Sequence, residues 1–226
     1  MITPLAVAGA TAAVAAAVHG TFHRNSPVFG RVVSSVPGNQ VAITFDDGPN
    51  PEATPRILDA LGAGGIRATF FLLGKHIERW PDLARRIARE GHAIGNHGWH
   101  HQKLHRRGPA FIALDIALGA QAITAATGSA PRLFRAPHGF RNPWVNRLAA
   151  AQGQRVVGWS LGVWDSDRPG ADVIARRALE GTRAGSILLL HDGDGYDPGG
   201  DRLQTAEALP AIIRGLRDRG LGFVPL

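Results

Sequence analysis

From Val41 onward, short apolar runs alternate with longer stretches of helical spacing. Residues 41–45, 68–73, 92–95, 132–134, 155–159 and 186–190 read as strands. Residues 55–61, 81–90, 109–127, 142–151, 171–180 and 205–219 read as helices, two of them stopped by Gly91 and Gly128. Strand-helix alternation within one domain predicts an α/β fold, with a mostly parallel sheet and helices outside it. Periodicity alone admits both an open doubly wound sheet and a closed barrel.

Polar residues of unusual chemistry sit just after the apolar runs. Asp46 and Asp47 follow the first strand, His97 the third, Arg135 the fourth, and His191 and Asp192 the last. Parallel α/β folds build their sites at the carboxyl ends of strands. Four separate segments would therefore deliver Asp, His and Arg to one face.

Ahead of this pattern, residues 4–18 are apolar, mostly Ala and Val. Residues 1–18 read as a signal-like or membrane-anchor segment, although no Lys or Arg precedes the apolar run. The run is also shorter than the ~20 residues of a bilayer-spanning helix. A plain Ala-rich helix packed on the domain is the alternative. Residues 19–40 read as a connector, broken by Gly20, Pro27, Gly30, Pro37 and Gly38, and residues 41–226 as the domain.

Composition narrows the chemistry. The 226 residues fit one domain, and 44% apolar content can fill its core. The net charge of +7 rests on arginine, since Lys75 and Lys103 are the only lysines. Such a charge suits a cell-wall polymer, a membrane surface or nucleic acid, although most of the arginines read as a codon bias that also raises Ala and Gly. The arginines are scattered and not interleaved with aromatics, so no nucleic acid is expected. With no cysteine, thiolate metal sites and Cys nucleophiles are excluded. A metal must be held by His, Asp or Glu.

Five of the ten histidines fall between His92 and His105. His97 and His101 are spaced i, i+4, which on a helical turn places both imidazoles on one face, able to share a divalent metal. The bland alternative is a solvated pair. His92, His100 and His105 are expected to be structural or solvent-facing, with His100 a competing ligand only if the turn is not helical. Asp46-Asp47-Gly48 is by itself a turn signal. Beside two histidines, one Asp can complete the ligand set and the other can take a proton from water. His191 at a strand end suits a general acid. The loop at residues 192–201, with Asp194, Asp197 and Asp201, reads as a polar surface loop and alternatively as a cation or amine site.

Together these segments resemble the polysaccharide deacetylase family, the carbohydrate esterases that share the NodB homology domain. Residues 44–48 match its first motif, 97–101 its second, 135–139 its third, 159–165 its fourth and 189–192 its fifth. The resemblance implies a distorted (β/α) barrel, with the apolar N-terminal segment outside it. It implies Asp46 as base, and Asp47, His97 and His101 as ligands of one divalent metal, usually zinc, with cobalt or nickel as alternatives. Arg135 would hold Asp46, a bidentate contact suiting its planar fork. The backbone N–H of His138 would help stabilise the oxyanion, and Asp165 would tune His191, the acid. Leu189 and Trp164 would line the substrate pocket.

The implied activity is N-deacetylation of an amino-sugar glycan by a monomer in the cell envelope, exported or membrane-associated through residues 1–18. An O-acetyl esterase and a non-catalytic glycan-binding module are the rivals. Four positions depart from the family pattern. Gly98 stands for Ser or Thr, His138 for Tyr, Gly162 for Asp, and Ser166 for Trp, with Trp164 nearby to substitute.

Overall fold

The computed structural model describes residues 4–226, with side chains from Gly9 onward; residues 1–3 of the 1–18 segment lie outside the described residues. The elements run α1 (Pro4–Phe22), β1 (Gln40–Asp46), α2 (Ala53–Ala63), β2 (Thr69–Leu72), α3 (Gly74–Arg79), α4 (Pro81–Arg89) and β3 (Ala93–Asn96). They continue with α5 (Pro109–Thr127), β4 (Leu133–Phe134), α6 (Pro143–Ala151), β5 (Arg155–Val156) and β6 (Leu161–Gly162). The last are α7 (Ala171–Gly181), β7 (Ile187–His191), α8 (Leu203–Asp218) and β8 (Gly222–Phe223).

The strands form one parallel sheet in the order β5-β4-β3-β2-β1-β7-β6, with β8 added to the start of β1. It curls without closing between β5 and β6, so the fold is the expected distorted barrel with helices outside.

Period-two alternation decides what the barrel contains. In β1, Val41, Ile43 and Phe45 pack outward against the helices, while Ala42 belongs to a smaller inner cluster with Phe71, Leu133, Val157 and Ile187. Phe70 and Leu72 of β2, and Leu188 and Leu190 of β7, likewise face the helices. The alternate positions Thr44 and Asp46 face inward, toward Arg135. Register then aligns the two chemical ends, since Asp46 is the partner of His191 and Thr44 that of Leu189.

The segment before the domain differs from expectation. The helix runs on through residue 22, and the chain after it is fastened down. Arg141, almost fully buried, donates to the carbonyls of His23 and Ser26, and its own N–H donates to the Thr21 carbonyl. Ser26 is buried, and Val33 forms an isolated bridge with Val157.

Candidate active site

The two adjacent aspartates diverge because the backbone turns sharply between them. Asp46 ends β1, and Asp47 has the left-handed φ of 72°, which an L-residue adopts at a cost. Their carboxylates therefore serve different neighbours. Asp46 Oδ1 accepts from Arg135 at 2.7 Å. Asp47 Oδ1 lies 3.3 Å from His97 Nε2 and 3.1 Å from His101 Nε2.

The helical-turn reading of His97 and His101 is not what the fold uses. Residues 97–101 form a loop with left-handed backbone at Gly98 (φ 81°) and His101 (φ 57°). This loop, rather than a helix face, brings the rings to 5.4 Å between centroids. The Asp115 carboxylate shapes it, accepting from the N–H groups of Trp99 (3.3 Å) and His100 (3.0 Å) and from His100 Nδ1 (2.6 Å). A Cβ on Gly98 would stand only 2.3 Å from Asp115 Oδ2. The space of the family's hydroxyl side chain is thus taken by a carboxylate from α5. His100 is turned toward Asp115, away from the cluster, although its turn is not helical. His92 accepts from the Ala68 N–H and is structural.

Asp47, His97 and His101 are the group of described residues suited to a metal, with ligand atoms all within 4.8 Å of one another. The fit rests on three observations. All three side chains are buried. His97 Nδ1 donates to the Arg135 carbonyl at 2.8 Å, which leaves its Nε2 lone pair facing Asp47. The buried Asp47 Oδ1 accepts no hydrogen bond from the chain. A His-His-Asp set is also the donor chemistry of catalytic zinc sites with open positions.

The three side chains are electrostatically coupled. Burial favours the neutral acid at Asp47, yet its neighbours His101, His97 and His191 outweigh it and hold the carboxyl well below its usual range. Burial pushes His101 down to about 3, which keeps the imidazole neutral. At His97 burial opposes a positive charge, but Asp46 and Asp47 favour one and prevail.

Arg135 is fully buried, and its fork is not bidentate on one carboxylate as anticipated. One terminal nitrogen serves Asp46 and the Thr44 hydroxyl (2.8 Å), and the other the Gly158 carbonyl (2.9 Å). The guanidinium also lies over the Phe71 ring, 4.0 Å from its centroid. Asp46 is thus held by a cation that the barrel interior itself fixes.

On the opposite side of the cleft, His191 Nδ1 donates to Asp165 at 2.9 Å. The second Asp165 oxygen accepts from the His191 N–H (2.7 Å) and the Thr205 hydroxyl (2.9 Å). Burial disfavours the imidazolium, but the charge and hydrogen bond of Asp165 dominate, with help from Asp47 and Asp46, and raise His191 to about 9.

These residues surround one cleft of about 690 Å³, which Asp46, Asp47, His101, His138, Trp164, Asp165, Leu189 and His191 line directly. His97 and Arg135 lie beneath it. Trp164 is exposed at its rim and Leu189 is buried in its wall.

Sequence reading missed several contributors. Thr205 anchors Asp165 from α8. Phe22 and Arg24, from the segment before the domain, form part of the cleft wall. Arg24 reaches the carbonyls of Trp159 (2.8 Å) and Ser160 (3.2 Å). The 192–201 loop is more than surface: Asp194, Gly195 and Tyr196 line the cleft. Its aspartates do not converge on a cation. Asp194 pairs with Arg202, Asp197 accepts from the Gly199 N–H, and Asp201 accepts from the Leu203 N–H. Tyr196, the chain's single tyrosine, places its hydroxyl 3.0 Å from His138 Nε2. The phenol missing from the third motif thus reaches the rim from another loop.

Fold and site define a class: hydrolytic carbohydrate deacetylases built on the NodB-type barrel. A family model described as polysaccharide deacetylase matches residues 34–157, and the chain belongs to that family. It is 40% identical over 195 residues to a chitooligosaccharide deacetylase of Bradyrhizobium sp., covering 82% of this chain and 88% of the relative. It is 37% identical over 202 residues to a peptidoglycan-N-acetylglucosamine deacetylase of Bacillus cereus, covering 86% and 91%. The crystal structure of the Bc1960 peptidoglycan N-acetylglucosamine deacetylase superposes with a TM-score of 0.81 at 36% identity, over 85% of this chain and 89% of that one.

Proposed function

We propose that the chain removes N-acetyl groups from amino-sugar units of an envelope glycan, of peptidoglycan or chitin-oligomer type. The observation that carries this reading is the placement of Asp46 and His191. They are register partners on adjacent strands, on the inner face of the barrel, beside one His-His-Asp cluster. The relatives' substrates support the same reading.

Asp47, His97 and His101 would hold the divalent cation, zinc by the chemistry of the donor set. When bound, such a cation polarises the acetyl carbonyl and acidifies water. Asp46, fixed by Arg135, takes the proton of the attacking water. The His138 N–H, which has no acceptor among the described residues, is free to bind the developing oxyanion. Asp165 accepts the His191 Nδ1 proton, leaving Nε2 to protonate the departing amine. Leu189 and Trp164 bound the space for the acetyl group and sugar.

A binding module needs no base and acid pair, so the complete set favours catalysis. An O-acetyl ester has a better leaving group and depends less on His191. The reading places the protein at the cell envelope, exported or held there through residues 1–18. The exposed Val14 and Val18 of α1 support this.

Acetate release from N-acetylglucosamine oligomers, peptidoglycan and acetylated xylan tests the assignment, with Asp46→Asn beside the wild type. We expect release from the amide substrates, and a loss on the order of 10²–10⁴-fold in the variant with its metal retained. Release from xylan alone would overturn the N-acetyl reading. Loss of metal in Asp46→Asn would exchange the roles of the two aspartates.

A further inference from the structure

The cleft adjoins a further cavity beside the cluster that would hold the cation. His101 and Tyr196 also wall a second cavity of about 350 Å³, completed by Gln102, Lys103, Arg106 and Arg107. Half of this lining is cationic. The first cavity is lined by Asp46, Asp47, Asp165 and Asp194, and each of these has a basic partner: Arg135, the pair His97 and His101, His191 and Arg202 respectively. The two adjoin through the shared walls of His101 and Tyr196, but in the second, among the described residues, the cations lack carboxylate partners.

The three cations have no internal use for their charge. Among the described residues, no carboxylate forms an ion pair with Lys103, Arg106 or Arg107. Arg107 donates to the neutral Gln102 side chain at 2.6 Å and covers the Phe111 ring. Their field is felt nearby, since burial together with the charges of Arg106 and Lys103 holds the His105 imidazole below its ordinary range. A neutral acetamido sugar can accept the hydrogen bonds of the three cations but leaves their charge unmatched. They attract and orient a carboxylate.

We propose that this cavity is a subsite for a carboxylate carried by the glycan close to the sugar being deacetylated, so that the enzyme selects acidic over neutral chains. The proposal rests on the deacetylase reading above. The shared walls support it: His101 and Tyr196 line both cavities, so the cations border the cleft that Asp46 lines. A basic patch remote from the cleft would suit a membrane surface equally well, and this one is not remote.

The test uses the full chain and a variant carrying Lys103→Gln, Arg106→Gln and Arg107→Gln, all at exposed positions. Three substrates are compared. They are peptide-free peptidoglycan strands, whose alternate sugars carry a lactyl carboxylate, the same strands after methyl esterification, and N-acetylglucosamine oligomers. For the wild type we expect a lower KM on the acidic strands than on the esterified ones, with the advantage eroded by added salt. The variant should lose about tenfold in KM on the acidic strands alone, the sum of three exposed charge pairs, with kcat unchanged. Equal losses on all three substrates would overturn the subsite, as would a wild type indifferent to esterification. Failure of the wild type to release acetate from any of them would remove the deacetylase reading and the subsite with it.

Discussion

His191 shows how its surroundings tune a single residue toward the acid role proposed for it. An isolated imidazole titrates near 6.5, too low to remain a full acid above neutrality. Here Asp165 raises it to about 9, and Asp165 is itself fixed by Thr205 and the His191 N–H. An acid raised in this way works below its folded pKa and fails as pH climbs through it. Asp165→Asn removes the raising charge, so the basic limb of the pH-rate profile should move to lower pH, toward the ordinary imidazole value. A cation in the adjacent cluster repels the imidazolium and sets both limbs lower, but does not change the order. Profiles of kcat/KM for wild type and variant check this, and an unmoved basic limb would reduce Asp165 to a structural residue. That Asp46, Asp47 and His191 meet at one site was legible in the sequence, because all three stand at or just after the ends of adjacent parallel strands; the separate roles of the two aspartates were implied only by the family resemblance. Thr205 was not legible, since a threonine forty positions from its partner carries no local signal.

At the scale of elements, the major helices and the strands that carry the site followed from periodicity. The misses have plain causes. β6 and β8 have two residues each, too few for any alternation to show. α3 has six residues and follows directly on the apolar run of β2. The His-x-x-x-His spacing suggested a helix, yet a loop bent by two left-handed residues brings the same two rings together. Spacing picked out the two histidines of the candidate cluster without identifying their geometry. That loop is braced by another, because Gly195 packs so closely on His101 that an added Cβ would stand 2.0 Å from Nδ1. Lys75 holds the Gly195 carbonyl at 2.7 Å, which limits retreat. Gly195→Ala should therefore displace the His101 ring and weaken metal affinity on the order of 10–100-fold, as disturbed support of a ligand does. Competition with a chelator measures it, and wild-type affinity would mean that the 192–201 loop yields freely.

For the whole molecule, the candidate metal cluster joins segments that the fold brings together from distant parts of the chain. Asp47 follows β1, and His97 and His101 follow β3, two strands away across the sheet. A cation bound there exists only in the folded state, so it must stabilise that state. At a hundredfold excess over Kd the gain is about 2.7 kcal/mol, or about 5–10 °C in Tm for a domain of this size. Thermal melts with and without zinc should show this shift in the wild type and not in His97→Ala or His101→Ala. An equal shift in both variants would place the cation elsewhere.

The fastening of α1 bears on reach. Arg141 fixes the chain just after the helix, and Phe22 at its end is part of the cleft wall. At about 1.5 Å per residue, the 19 residues of α1 span about 28 Å. A flexible tail would let the catalytic mouth wander over a hemisphere. A helix clamped at its base behaves as a strut, so whatever grips its outer end also sets the direction in which the mouth opens. The glycan such an enzyme can process would then be a layer at one fixed standoff, rather than everything within the radius of a leash.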